Sequence, residues 1–210
     1  MLVRDVMTHN VVTIPINMPI LEAERLLEFH KFERLPIVDR GKLVGLVTKD
    51  TLLKATPSHA TSFSRGELHY LMSKLTVKEI MKKNLITVTP DTPIERATAI
   101  AQENRVGCLL VVEGERVAGI LTTNDVFYRV INPLFGIGER GKRIIVYGGG
   151  EIEPMQKVLD CINKVSFKIK TLWQLPGDRK KDLIFHFETE NISPLVSKLR
   201  EEGFLVDERG

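Results

Sequence analysis

The chain has 210 residues, 43% hydrophobic and 27% charged, a composition that fits two modest globular domains and excludes collagen-like, coiled-coil and disordered classes for the chain as a whole. Thirty basic residues against 27 acidic give a formal charge of +3, spread without a basic tract, so nucleic acid is not indicated as a partner. No apolar run approaches the roughly 20 residues of a membrane span, and Met1-Leu2-Val3-Arg4-Asp5 lacks the apolar block of a signal peptide, so no membrane partner is expected and a cytoplasmic location is.

In chain order, residues 11–14 read as a short β-rich stretch. A polar turn with proline follows, then an amphipathic helix with Ile20, Ala23, Leu26 and Leu27 as its apolar stripe. Residues 35–38 and 43–48 read as two strands joined at Asp39-Arg40-Gly41-Lys42, a glycine-containing hairpin turn, and a helix begins near Asp50. A polar loop over residues 55–62 leads to a segment in which Leu68, Leu71, Met72 and Leu75 share one helical face.

The pattern then starts again. At an offset of 74 residues, Met7-Thr8-His9-Asn10-Val11-Val12-Thr13-Ile14 falls on Met81-Lys82-Lys83-Asn84-Leu85-Ile86-Thr87-Val88 without a gap. The register carries on through Ala23 on Ala97, Leu35 on Leu109, Val38 on Val112, Gly45 on Gly119 and Thr48 on Thr122. The second copy repeats the short stretch at 85–88, strands at 109–112 and 117–122 around Glu113-Gly114-Glu115-Arg116, and a helix near Asn124. So long a period suits a duplicated supersecondary unit and not a solenoid. One unit cannot cover its own apolar sheet face, so the two copies are expected to pack sheet to sheet as one domain.

Residues 131–141 carry glycine and proline without a sustained period and mark a boundary. Residues 143–147 then read as a strand, and Met155, Val158, Leu159, Ile162 and Val165 form a helix face after Pro154, a first-turn proline. Residues 167–173 and 183–188 read as a hairpin across Pro176-Gly177-Asp178. A second helix starts at Asn191-Ile192-Ser193-Pro194 and ends at Gly203, and residues 204–206 make a last strand. The order strand, helix, strand, strand, helix, strand is the split βαβ, ferredoxin-like arrangement.

The residues that could carry chemistry are few. Thr122 and Asp125 sit three apart where a strand enters a helix. The carboxylate could accept from both ribose hydroxyls, while Thr122 and first-turn amides approach phosphate. Local spacing alone favours a plainer role, in which Asp125 caps the helix start and Thr122 ends the strand. Cys108 and Cys161 lie in separate apolar stretches without a Cys-x-x-Cys pattern and are expected to be buried, reduced thiols. His9, His30, His59, His69 and His186 have no ligand spacing, so no metal site is assigned. Tyr147-Gly148-Gly149-Gly150 is no dinucleotide fingerprint, because Glu153 stands where a third glycine is needed. No nucleophile triad, zinc-protease or phosphate-loop motif is present, so neither a catalytic residue nor a catalytic cofactor is assigned and the protein is not expected to be an enzyme.

Val117-Ala118-Gly119-Ile120-Leu121-Thr122-Thr123-Asn124-Asp125 is similar to the closing motif of cystathionine β-synthase (CBS) repeats, and the segments Val3-Arg4-Asp5-Val6-Met7-Thr8 and His30-Lys31-Phe32-Glu33-Arg34-Leu35-Pro36-Ile37-Val38-Asp39 also look like that family. The resemblance implies a mixed α/β fold: a tandem CBS pair over residues 1–130, built as two β-α-β-β-α repeats at 1–55 and 76–130 around an insert at 56–75. After a linker at 131–142 comes a ferredoxin-like βαββαβ domain at 143–210. In that position it looks like an ACT domain, although the Asp-x-x-Gly signature of amino-acid-binding members is missing at Glu151-Ile152-Glu153-Pro154-Met155. The whole arrangement resembles the acetoin-utilisation protein B group.

Family geometry implies two nucleotide-binding clefts between the copies. One combines Thr122, Asn124 and Asp125 with Val12, Phe32, Glu33 and Arg34. The other, expected to be weaker, combines Thr48 and Thr51 with Ile86, Val106, Gly107 and Cys108, with Arg34 within reach of its phosphates. Thr51 stands where the register calls for the counterpart of Asp125, and Asp50 lies one position early. The resemblance implies a non-catalytic regulatory homodimer that senses AMP, ADP, ATP or S-adenosylmethionine, acts on a protein target and is linked to acetoin or related carbon metabolism. An amino-acid sensor working through the ACT-like domain, and an interaction module with degenerate clefts, are the alternatives.

Overall fold

The computed structural model describes residues 1–55, 74–175 and 181–209. Most of the expected insert helix, His59, His69 and the turn at 176–178 lie outside them. The chain divides into two compact units, Met1–Phe127 and Tyr128–Gly210.

In the first unit the two copies are built alike. Helix α1 (Val3–Val6) precedes β1 (Ile14–Pro15), α2 (Ile20–His30), β2 (Arg34–Asp39), β3 (Lys42–Thr48) and α3 (Lys49–Ala55). The second copy runs α4 (Val77–Ile80), β4 (Thr87–Val88), α5 (Ile94–Glu103), β5 (Cys108–Glu113), β6 (Arg116–Thr122) and α6 (Thr123–Val126). Each sheet has three strands, with the short first strand parallel to the second and the second antiparallel to the third. The first hairpin turns at Arg40 (φ 50) and Gly41 (φ 78), the two positive φ angles of a two-residue type I′ loop. Both hairpins shift register at equivalent points, between Ile37 and Val38 and between Val111 and Val112. On α2, Ile20, Ala23 and Leu27 are buried and Leu26 packs beside them against Leu35, Ile37 and Val47.

The expected strands at 11–14 and 85–88 shrink to two residues each, because only Ile14, Pro15, Thr87 and Val88 pair with a neighbour. Val11 and Leu85 instead pack on Leu46, Leu110 and Ile120, the apolar cluster where the two sheets meet. The copies are also stitched crosswise. Thr8 pairs with Ile120 of the second copy's sheet, and Lys82 pairs with Leu46 of the first.

After α6 the chain makes a π-helical turn (Phe127–Ile131) and a short helix α7 (Asn132–Phe135). The expected linker at 131–142 therefore contains a helix. Pro133 sits in its first turn, where a missing N–H costs nothing, and Gly136 closes it with φ 61.

The second unit runs β7 (Lys142–Val146), α8 (Ile152–Val165), β8 (Ile169–Gln174), β9 (Leu183–Phe187), α9 (Ser193–Glu201) and β10 (Val206–Arg209). Its antiparallel sheet has the order β10-β7-β9-β8, the ferredoxin-like order. Val158, Cys161 and Ile162 of α8 and Leu195, Val196 and Leu199 of α9 bury Ile144, Val146, Phe185 and Phe187. Two strands begin later than the sequence implied, because Phe167 and Phe204 pack against this core ahead of Ile169 and Val206.

Candidate functional site

The junction of β6 and α6 is made by Thr122 and Asp125. The Thr122 amide and hydroxyl both donate to Asp125 Oδ2, at 2.9 and 2.6 Å, and the Asp125 amide donates back to Thr122 Oγ1 at 3.2 Å. This reciprocal box caps the helix, so the plainer role expected from spacing is real. The other carboxylate oxygen, Oδ1, accepts from the Thr8 hydroxyl at 3.1 Å, across the seam where Thr8 joins this sheet. Asp125 is only 9% exposed.

That carboxylate borders a cavity of about 470 Å³ between the copies, within the usual range for small-molecule sites. All seven residues assigned to the first cleft line it: Val12, Phe32, Glu33, Arg34, Thr122, Asn124 and Asp125. Thr8, Asn10, Val11, Lys31, Ile120 and Thr123 complete the wall. Thr8 belongs to the opening motif, which by itself gives it no site role, and Lys31 follows α2 in the left-handed conformation (φ 55). Phe32 and Val12 supply apolar surface, while Thr122 and Asp125 supply hydroxyl and carboxylate. Such a wall accommodates a flat ring next to a hydroxylated group.

A second cavity of about 320 Å³ is lined by Thr48, Ile86, Val106, Gly107 and Cys108 as assigned, but not by Thr51. The Thr51 side chain turns into its own helix start, accepting from the Thr48 amide at 2.8 Å and donating to the Thr48 carbonyl at 2.7 Å. Asp50 lines the cavity in its place. Glu33 and Arg34 line both clefts. A methyl group added at Gly107 would meet Arg34 Nη2 at 3.2 Å, so the guanidinium lies over Gly107, in the second cleft. Lys49, Lys82, Asn84 and Arg105 also line this cavity, and the motifs single out none of them. The register is the signal that finds two: at an offset of 74, Lys31 falls on Arg105 and Asn10 on Asn84.

Cys108 is half-buried at the rim of the second cavity, whereas Cys161 is buried in the other unit's core. The expectation of two buried thiols therefore holds for Cys161 alone, because Cys108 opens β5 at the cleft. Desolvation pushes the Cys108 thiol above its ordinary pKa, with Arg34 and Lys82 pulling the other way.

In the second unit, the Gly148 amide donates to Asp182 Oδ1 at 2.9 Å and the Gly150 amide to the Lys181 carbonyl at 2.6 Å, so these amides serve the fold. His186 is fully buried on β9, with Nε2 3.1 Å from the Arg140 carbonyl. Burial, then the nearby Arg143 charge, holds its pKa below the ordinary histidine value. Among the described residues no group of three His, Cys, Asp or Glu side chains is placed to hold a metal ion, and no helix is long and apolar enough to cross a membrane.

The family model of the CBS domain matches residues 3–58 and 77–132. Three solved structures are similar to 62–65% of the chain. The CBS domain pair of protein MJ0100, in complex with 5′-methylthioadenosine and S-adenosyl-L-methionine, is 33% identical with a TM-score of 0.50 and covers 65% of this chain and 96% of that one. A Vibrio cholerae protein assigned to acetoin utilization (AcuB) is 28% identical with a TM-score of 0.53, covering 63% and 91%. CBSX2 in complex with AMP is 27% identical with a TM-score of 0.51, covering 62% and 96%. Two curated relatives are longer. L-aspartate semialdehyde sulfurtransferase of Methanocaldococcus jannaschii is 34% identical over 137 residues, which cover 64% of this chain and 23% of the relative. The chain spans 35% of the next, an inosine-5′-monophosphate dehydrogenase of Korarchaeum cryptofilum that is 28% identical over 195 residues.

Proposed function

We propose that this chain, which belongs to the CBS domain family, is a non-catalytic regulatory protein that binds an adenine nucleotide or related adenosyl ligand in the first cleft. One observation carries the reading: a single cavity holds the Asp125 carboxylate, Thr122, Phe32 and Val12 together. In it the ribose hydroxyls donate to Asp125, the base lies against Phe32 and Val12, and Asn124 and the α6 start face the next group of the ligand. The complexes of MJ0100 with 5′-methylthioadenosine and S-adenosyl-L-methionine and of CBSX2 with AMP support this ligand class.

The cleft lies between two packed copies, so a ligand that fits one arrangement of them better than another shifts the balance between the two. That shift is the signal, passed on through a homodimer of CBS pairs to a protein target. The second unit is read as ACT-like, supported by its strand order, and the likeness to AcuB makes acetoin or related carbon metabolism the first pathway to test.

The test is a thermal-shift and titration series with AMP, ADP, ATP and S-adenosylmethionine on wild type and Asp125→Asn. A ligand at about 100 times its Kd stabilises the native state by roughly 2.7 kcal/mol. Asp125→Asn removes the charge but keeps a side-chain oxygen that accepts from the Thr122 amide, so the cap survives while the ribose loses its carboxylate. The shift should disappear in the variant; equal binding by both proteins would overturn the assignment.

A further inference from the structure

The sheet of the second unit has one face under α8 and α9 and another turned away from them. Phe185 and Phe187 point into the helix-side core, so alternation along β9 turns His186 to the outer face. The register sets Arg143 of β7 on one side of it and Thr171 of β8 on the other. His186 is nonetheless fully buried, because residues 132–141 cross over it as a strap.

Side chains of the outer face hold the strap by its carbonyls. Arg143 Nη2 donates to the Gly136 carbonyl, while His186 Nε2 and Lys170 Nζ each lie 3.1 Å from the Arg140 carbonyl. Glu139 adds an ion pair with Lys170 at 3.1 Å, and the Phe135 ring meets Trp173 with centroids 5.1 Å apart. Two glycines let the strap close on the imidazole. A methyl group at Gly136 would strike Nδ1, and one at Gly141 would strike the Phe187 carbonyl and lie 2.9 Å from Nε2.

A carbonyl only accepts, so the neutral ring carries its hydrogen on Nε2 and leaves Nδ1 bare. Nδ1 has no hydrogen-bond partner among the described residues, and neither do Thr171 Oγ1 and Asn132 Oδ1. A second proton must enter at Nδ1, against Gly136, with the Arg143 and Lys170 charges opposing it. Glu139 favours it but is already paired with Lys170, and Glu188, past the end of β9, is paired with Lys168. Protonation would therefore bury both a charge and an unpaired donor, a cost that disappears once water reaches the ring.

We propose that residues 132–141 form a strap latched by His186, which lifts from the sheet separately from the helix-side core when the ring takes up a proton. The closed strap favours the neutral ring, so the latch holds above the ordinary histidine value of about 6.5 and weakens as pH falls below it. The ratio of closed to open strap drops by up to about tenfold per pH unit there, until the ring of the closed state itself titrates.

The test is thiol labelling of the full chain carrying Thr171→Cys, read site by site by mass spectrometry and divided by the rate of the urea-unfolded chain at the same pH. The quotient measures how often each thiol is uncovered. Position 171 lies beside His186 on the strapped face, whereas Cys161 is 1% exposed in the helix-side core and reports opening of the whole unit. The thiol at position 171 should be about tenfold or more less protected than Cys161 at about pH 7.5, and its protection should fall about five- to tenfold by about pH 5.5. His186→Gln, which keeps an uncharged donor for the Arg140 carbonyl, should abolish the fall. In the chain with His186 intact the fall should level off where NMR shows the His186 ring taking up its proton, a readout that stands even if His186→Gln does not fold. Equal protection of the two thiols overturns the strap as a separately opening element. A fall that persists in His186→Gln, is missing with His186 intact, or levels off away from the titration of the ring overturns the latch.

Discussion

Gly45 and Gly119 are equivalent glycines whose substitution should have unequal effects. Each faces a methionine from the segment that crosses over from the other copy, Met81 at Gly45 and Met7 at Gly119. At Gly45 the three atoms nearest an added Cβ all belong to the Met81 side chain, a flexible group that can swing aside. At Gly119 the Cβ would lie 2.5 Å from Met7 Sδ and 2.9 Å from the Thr8 carbonyl oxygen. A carbonyl cannot yield without moving the backbone that carries it. The Thr8 carbonyl accepts from the Ile120 amide at 3.0 Å, and the Thr8 amide donates to the Ile120 carbonyl at 2.9 Å. Gly45→Ala should therefore cost only the overpacking, about 1–3 kcal/mol. Gly119→Ala should cost that plus about 1 kcal/mol for each of the two backbone bonds, roughly 3–5 kcal/mol in all. Urea unfolding of the two variants measures the difference. Because Thr8 also holds Asp125, Gly119→Ala should weaken ligand binding in the first cleft, and Gly45→Ala should not. Equal destabilisation, or a larger loss in Gly45→Ala, would show that the crossing segment is not seated against Gly119 as described.

Burial, then the Arg143 charge, lowers the pKa of His186 in the fold, with Lys170 and Glu139 also acting on it, so as pH falls the unfolded chain takes up the proton first. The stability it contributes is present above the ordinary histidine pKa of about 6.5 and is lost as pH falls from there toward the lower folded value. Melting of the second unit between about pH 7 and pH 5 should show this slope, and His186→Gln, which keeps a donor for the Arg140 carbonyl, should flatten it. An equally steep slope in the variant would assign the acid sensitivity to other groups.

The repeat made the first unit legible, because hydrophobic alternation, turn glycines and a gapless 74-residue register are local or pairwise properties of the sequence. The same local signals located both hairpins, α2 and the strand-helix order of the second unit. Element ends were less legible. Val11 and Leu85 have strand-like side chains but no paired neighbour, and β1 and β4 pair over two residues each. Residues 132–135 form a helix despite a proline, because a first turn tolerates it.

For the site, the motif supplied which residues approach the first cavity, and the tertiary structure decided how their charges are shared. Whether Thr51 faces a ligand or its own helix depends on a hydroxyl rotamer set by the Thr48 backbone. Arg34 lines both clefts, and its guanidinium lies over Gly107, far along the chain, where the absence of a side chain leaves room for it. Glu33 and Asp50 are paired with Lys49 and Lys54. Sequence determines the inventory of charged groups, whereas the field in a cleft depends on which of them are paired, and pairing is a distance that only folding sets.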